Sequence, residues 1–329
     1  MPFPFEIGLS TDVHELRARV RSAHVRCRPS WIDLRGLDVE RHDAHGALLH
    51  VLATLGLGNA EVAASPSAVV LDWTHVESVS SSGLAFAVVA GCELLNRNVA
   101  IAMCEPQDGD VAAALDDAHL RRIFPMVSWV TCPRVECRRR SRVLTPVAEL
   151  LAGRWAGTIG SFLSDLEGIL ATFVTDPERA GLTVATATEV FQNVVTHSNA
   201  EVAAATVVLH QFRRPAVVSI GIADGGVGVA ASMLEHPRHA WMGEVADRGA
   251  MAAVLGGALT RRDGTEGGGG MARIVRRAVC DAGATVVVRS GASQATITRA
   301  GGARGGPVVR VIGHTWGWGT QTSISVPVG

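Results

Sequence analysis

The sequence contains no tyrosine, which excludes tyrosine chemistry. Cysteine is sparse, with six in 329 residues. Cys132 and Cys137 stand close together, but no second pair and no histidine pair follows at zinc-ligand spacing. The thiols therefore read as ordinary reduced cysteines of a cytosolic protein. No apolar run approaches the ~20 residues that span a bilayer. The opening "MPFPFEIGLSTDVHELRARV" lacks a basic stretch followed by an apolar one, so no signal peptide is expected. Neither sign of charge is in excess: 30 Lys plus Arg face 31 Asp plus Glu, a formal charge of −1. A nucleic-acid partner would ask for a clear basic surplus. The expectation is a cytoplasmic protein with neither a membrane nor a nucleic-acid partner.

What is present is core-forming material. Hydrophobic residues make up 47% and charged residues 19%, a globular composition. The length suits about two domains. "SAVVLD" (67–72) is a short apolar run rich in β-branched residues, the pattern of a buried strand. "SSSG" (80–83) follows, and Gly83–Asn98 reads as a helix. "VAIAMC" (99–104) is a second strand and 110–124 a second helix. Strand, helix, strand, helix with short joins implies parallel strands with right-handed crossovers. Upstream, 31–34 suggests a strand and 44–57 a helix.

The texture changes at "VTCPRVECRRRSRVLTP". Two prolines and an arginine cluster mark a boundary, placed at 131–147. No aromatic residue interleaves the arginines as in single-strand binders, so a solvated linker is the better reading. Helical patterns follow at about 148–174 and 180–198. Then come paired strand-like runs at 203–212 and 216–224, a Gly- and Ala-rich stretch to Gly270, a helix, and three or four more strands. The expected class is α/β for the first half. For the second half it is α+β, with helices on one face of a mixed sheet.

Three segments of the second half carry chemistry. In "ATEVFQNVVTHSNA" (187–200), Glu189, Asn193 and His197 fall at i, i+4 and i+8 and share one helix face. Val190, Phe191, Val194 and Val195 lie opposite, towards a core. The polar stripe could be a solvated face. It holds no Lys or Arg, however, and a carboxylate one turn from an amide oxygen can orient a hydroxyl and hold Mg²⁺ beside substrate phosphates. In "IADGGVGV" (222–229), a strand ends in Asp224 and is followed by Gly225, Gly226 and Gly228. These could form a simple turn or allow a ligand to approach the backbone closely. In "GTEGGGGMARIVRRAV" (264–279), a glycine run feeds a helix, offering free N–H groups and a positive dipole end to phosphate.

In this order the segments resemble the GHKL ATP-binding domain, shared by histidine-kinase catalytic domains, DNA gyrase, Hsp90 and anti-sigma-factor serine kinases. "EVFQNVVTHS" is similar to the N box, "DGGVG" and "GGGGMARIV" to the glycine boxes, and "GTQTSISVP" to the final Gly-Thr strand. The resemblance covers 148–329 and implies ATP and Mg²⁺ as ligands. Glu189 would be the general base and Asn193 the Mg²⁺ ligand, with His197 on the same face. Asp224 would accept from the adenine amino group, in a pocket shaped by Gly226 and Gly228. Gly268 and Gly270 would pass close to the phosphates. Met271 stands where the family has Leu, and Thr320 would support the adenine side. Residues 230–267 would form a mobile lid, with Arg248, Arg261 or Arg262 reaching a phosphate. Residues 148–174 contain no His, which argues against a histidine kinase and for the anti-sigma serine kinases.

The first half, 1–130 with its best match at 65–125, resembles the STAS domain of anti-sigma-factor antagonists. Asp72 fits that family's strand end and "SSSGL" its serine turn. The antagonists' phosphoacceptor corresponds to Ser81 or Ser82. The family's acid before the serines is Ser80 here. Two readings stand: a helix cap alone, or a cap that also accepts phosphate. Together the resemblances imply an anti-sigma-type serine/threonine kinase in a partner-switching system, with a STAS- or sigma-factor-related protein partner. The alternatives are a GHKL ATPase switch and a nucleotide-dependent binding module. Homodimers are common in both families.

Overall fold

The apolar runs of the first half form strands buried on both faces. In the computed structural model, β1 (Ser30–Asp33), β2 (Ala68–Asp72), β3 (Ala100–Cys104) and β4 (Ser128–Val130) make one sheet in that order, every pair parallel. The structure describes residues 13–22, 30–33, 68–134, 141–151, 154–211, 213–235, 247–256, 270–301, 305–313 and 318–329. The helix expected at 44–57 and Cys27 and Cys137 lie outside them. The cysteines among the described residues are unbridged.

Alternation along the strands sends side chains to two layers. Val70, Ala102, Cys104 and Val130 pack with Leu16 of α1 (Val13–Ser22) on one side. Val69, Leu71, Ile101 and Met103 face the other side, where α2 (Ser81–Asn96) crosses from β2 to β3. The short helices α3 (Gly109–Asp117) and α4 (Leu120–Ile123) follow β3. Ser80 caps α2: its backbone is extended and its Oγ accepts from the Gly83 N–H at 3.1 Å.

Fourteen of the sixteen residues of α2, 81–94, are buried. A helix apolar all round must be covered all round, and the cover on its far side comes from the second half. There, β5 (Ser141–Val143), β6 (Ala148–Leu151), β7 (Val202–His210), β8 (Val217–Asp224), β9 (Thr285–Ser290), β10 (Ser293–Arg299), β11 (Pro307–Gly313) and β12 (Thr320–Pro327) form one sheet. Its order is β11-β10-β9-β12-β8-β7-β5, with β6 also on β7. The expected mixed sheet is antiparallel at every described pair. The reason is β12, which inserts between β8 and β9. Those two strands run the same way but never meet.

Helices α5 (Trp155–Phe173), α6 (Pro177–His197) and α9 (Gly270–Cys280) cover one face of this sheet. Phe162 of α5 meets Phe191 of α6 edge to face, centroids 5.5 Å apart. The expectation that helices occupy only one face is corrected by α2, which takes the other. Three local readings also change. Residues 148–151 form strand β6, not helix. The stretch assigned to a linker contains β5, paired to β7. Val195, placed towards a core, is 50% exposed.

The seat for α2 is made of small residues. Ala204, Gly221, Ala223 and Ser219 of β7 and β8 project to its side, while Ala203, Ala205, Ile220 and Ile222 project to the other helices. A Cβ on Gly221 would overlap the backbone of Ser81 and Ser82. The Ser81 Oγ lies 2.9 Å from the Ser219 Oγ, which lies 3.3 Å from Ser323 Oγ and accepts from Ser325 Oγ at 3.1 Å. The two halves share one core. Gly221→Ala is therefore expected to cost about 1–3 kcal/mol by overpacking, and Ser80→Ala about 1 kcal/mol by loss of the cap. Urea denaturation midpoints of the full chain measure both.

Candidate functional site

The helix-covered face of the large sheet opens into a cleft lined mostly by apolar side chains. Its back wall is α6. Asp176 caps this helix, accepting from the Glu178 and Arg179 N–H groups, and Pro177 occupies the first turn. Val190, Asn193, Val194, His197 and Ser198 face the cleft. The floor comes from the ends of β8, β9 and β12: Ile222 and Asp224, Val288, Thr320 and Thr322. α7 (Gly228–Leu234) and α8 (Asp247–Leu255) supply Met233, Met251 and Leu255, and α9 supplies Met271.

Asp224 is the chemical centre. It is 3% exposed, and its Oδ1 accepts from the Gly226 N–H at 2.9 Å. The Thr320 N–H also bonds to its carboxyl. Burial outweighs these two donors and pushes the acid up to about 7. The turn behind it is fixed from three sides. The Val227 N–H donates to the Ser198 carbonyl at 2.8 Å, the Gly319 N–H to the Gly226 carbonyl at 3.1 Å, and the Val229 N–H to Ser290 Oγ at 2.7 Å. Gly228 has φ +82, and a Cβ there would stand 2.7 Å from Ser290 Oγ, so this position asks for glycine twice over.

The cleft brings together Asn193, His197, Asp224, Gly228, Met271 and Thr320. Gly226 sits behind the wall, where a Cβ would overlap the Ser198 carbonyl. Glu189, half-buried one turn before Asn193, stands outside the cleft wall. Gly270 is the first residue of α9. Gly268, Arg261 and Arg262 lie outside the described residues. Of the segment expected to be a lid, 247–255 is a helix anchored by the buried Ala250, Met251 and Leu255. Arg248 donates to the Val311 carbonyl at 3.4 Å. The chain contains no lysine, so a phosphate here would meet arginine, histidine or backbone N–H.

Ser81 and Ser82 are not brought to the cleft. They are 0% and 1% exposed and lie on the opposite face of the sheet, against Ser219 and Gly221. Sequence reasoning missed Ser198, Ser290 and the methionines of α7 and α8. Ser198 stands next to the polar stripe. Ser290 reads only as the end of a strand, and nothing in the sequence brings it to this turn.

Ionised, a buried carboxyl group fixed at the floor of an apolar cleft can accept a hydrogen bond from an N–H or O–H donor. No protein-family model matches the chain, and no curated protein matches it in sequence.

The folded state holds the Asp224 proton up to about pH 7, whereas an exposed Asp loses it near pH 3.8. Stability present below about pH 4 is therefore lost as the pH rises to about 7, by roughly 4 kcal/mol. Asp224→Asn removes this slope. Chemical denaturation of both proteins at pH 5, 6, 7 and 8 isolates it as a difference.

Proposed function

We propose that the protein is an ATP-binding regulator of GHKL type that transfers the γ-phosphate of Mg-ATP to a serine or threonine of a separate protein partner. The observation that carries the reading is Asp224, a buried carboxyl group held by two backbone N–H groups at the floor of an apolar cleft. Ionised, it accepts from the exocyclic amino group of adenine. Val190, Ile222, Met251 and Met271 enclose the ring faces.

Asn193, with an amide oxygen on the cleft wall, fits a Mg²⁺ ion that takes one or two protein ligands and completes its shell with phosphates and water. Bound there, Mg²⁺ would supply charge neutralisation at the phosphates. Glu189, one turn along α6, takes the proton of the acceptor hydroxyl. The bond from the γ-phosphorus to the β–γ bridging oxygen breaks, a bond to the acceptor oxygen forms, and ADP leaves. The burial of Ser81 and Ser82 on the far face of the sheet favours an acceptor on another chain. A STAS- or sigma-factor-related partner, as the sequence resemblance implies, belongs to the same proposal.

A second reading is an ATPase switch that rearranges domains without phosphorylating protein. It is favoured by the packing of α2 behind the Asp224 turn, through Trp318.

Titration calorimetry with Mg-ATP tests the first step. Binding is expected, weakened about tenfold for each pH unit below about 7 as Asp224 takes up its proton. No binding overturns the reading. Glu189→Ala is expected to abolish turnover and keep ATP binding, and unchanged turnover refutes its role as base. With γ-labelled ATP and an extract of the source cells, mass spectrometry should find phosphoserine or phosphothreonine on a partner. ADP release with no phosphoprotein selects the switch.

A further inference from the structure

The nucleotide cleft and the seat of α2 lie on opposite faces of one sheet, and Trp318 packs between α2 and the turn that follows Asp224. Trp318 stands two residues before β12 and is 9% exposed. Its ring lies against Phe86 of α2, with centroids 6.1 Å apart and planes at 58°. The same ring fills the space beside Gly225: a Cβ built there would stand 2.6 Å from the Trp318 ring and 3.2 Å from Oε1 of Glu93, also on α2. Gly225 follows Asp224 directly, and its N–H donates to the Val202 carbonyl at 3.1 Å.

The backbone beside Trp318 is bound to the same turn. The Gly319 N–H donates to the Gly226 carbonyl, the Gly319 carbonyl accepts from Ser290 Oγ at 3.4 Å, and Thr320 is in register with Asp224. The turn that aims the Asp224 carboxyl is thus braced on one side by α6, through the Ser198 carbonyl, and on the other by Trp318 and α2.

We infer that α2 is a built-in effector of the cleft and that Trp318 is the positioning residue through which it acts, by holding the Asp224–Gly228 turn in its ligand-receptive form. The ligand side of this inference rests on the nucleotide reading; the mechanical side rests on the packing alone. Packed interfaces of this kind take up discrete arrangements and do not deform smoothly. If α2 lifts from its seat, the Trp318 ring loses Phe86, Gly225 loses its backing, and the acceptor oxygen of Asp224 moves. Linkage makes the effect reciprocal: a nucleotide that requires the turn tightens the seating of α2 by the same factor that seated α2 tightens nucleotide. An effector therefore need not touch the cleft. A partner that pulls on the four-stranded sheet or on α2 changes nucleotide affinity from the far side of the large sheet.

The test uses the full chain with Trp318→Leu, Trp318→Phe and Phe86→Leu. The control is Phe124→Leu, which alters the same core where Phe124 packs over Gly91 of α2, with neither Trp318 nor the turn among the nearest atoms there. Amide hydrogen exchange at Gly226 and Val227, without ligand, reports the turn directly, because the first N–H is bonded to the Asp224 carboxyl group and the second to the Ser198 carbonyl that braces the turn. Calorimetry reports Mg-ATP affinity. Trp318→Leu and Phe86→Leu are expected to speed exchange at these two amides, and to weaken ATP, about tenfold or more. Trp318→Phe should restore most of both. Phe124→Leu should lower the melting temperature and change neither. Equal effects from Phe124→Leu and Trp318→Leu reduce Trp318 to general stability and overturn the inference. Unchanged exchange in Trp318→Leu and Phe86→Leu with normal ATP binding overturns it too, while leaving the nucleotide reading standing. Faster exchange with no ATP binding by the unaltered chain does the reverse: the brace stands and the nucleotide reading falls. Should Trp318→Leu not fold, Phe86→Leu carries the same comparison.

Discussion

The rest of the structure depends on α2 being covered on every side. A helix of the composition "SSGLAFAVVAGCELLN" has no face to give to water. The four-stranded parallel sheet covers one side of it and the small-residue seat on β7 and β8 the other. Because Gly221 admits the backbone of Ser81 and Ser82 directly, the helix sits as low on the sheet as sterics permit. That depth lets the shared core form from Leu71 and Met103 on one side to Ala204 and Ala223 on the other. Two stretches that differ in sequence texture become one packed body.

The same strand serves two masters. On β8, Ile222 and Asp224 look into the cleft and Ile220 into the core beneath the other helices, while Ser219, Gly221 and Ala223 look at α2. Alternation with a period of two separates cleft from helix by the thickness of one sheet. It also means that both surfaces are built from the same backbone. A change in strand twist or register made for one is felt by the other. Asp224 stands where this matters most, at the strand end where the sheet stops constraining the chain and the glycine turn starts.

Much of this was legible in the sequence, for identifiable reasons. Buried parallel strands read as unbroken β-branched runs, so β2 and β3 appear within a residue or two of their observed limits. Ser80 reads as a cap because a serine three residues before a free N–H has few other uses. The stripe on α6 and the glycine turn after Asp224 are local patterns, and most of their residues meet in the cleft. What could not be read is what depends on distant partners. "AELL" is too short for its periodicity to separate strand from helix, and β7 decides the matter. Val195 follows Val194 but points to solvent, because the apolar stripe is narrower than the run of apolar letters. The serines of α2 look like an exposed turn until Gly221, 140 positions away, turns out to have no side chain.

That separation has a cost in time as well as in information. The Ser81–Ser219 contact spans 138 residues. At roughly 5–20 residues per second of synthesis, α2 leaves the ribosome about seven to thirty seconds before β8 exists to receive it. For that interval an almost wholly apolar helix has half of its shelter missing. The first half of the chain is thus not a finished unit awaiting a neighbour. Until the strand that carries Asp224 is made, it keeps an exposed apolar surface of the kind that makes nascent chains prone to aggregate.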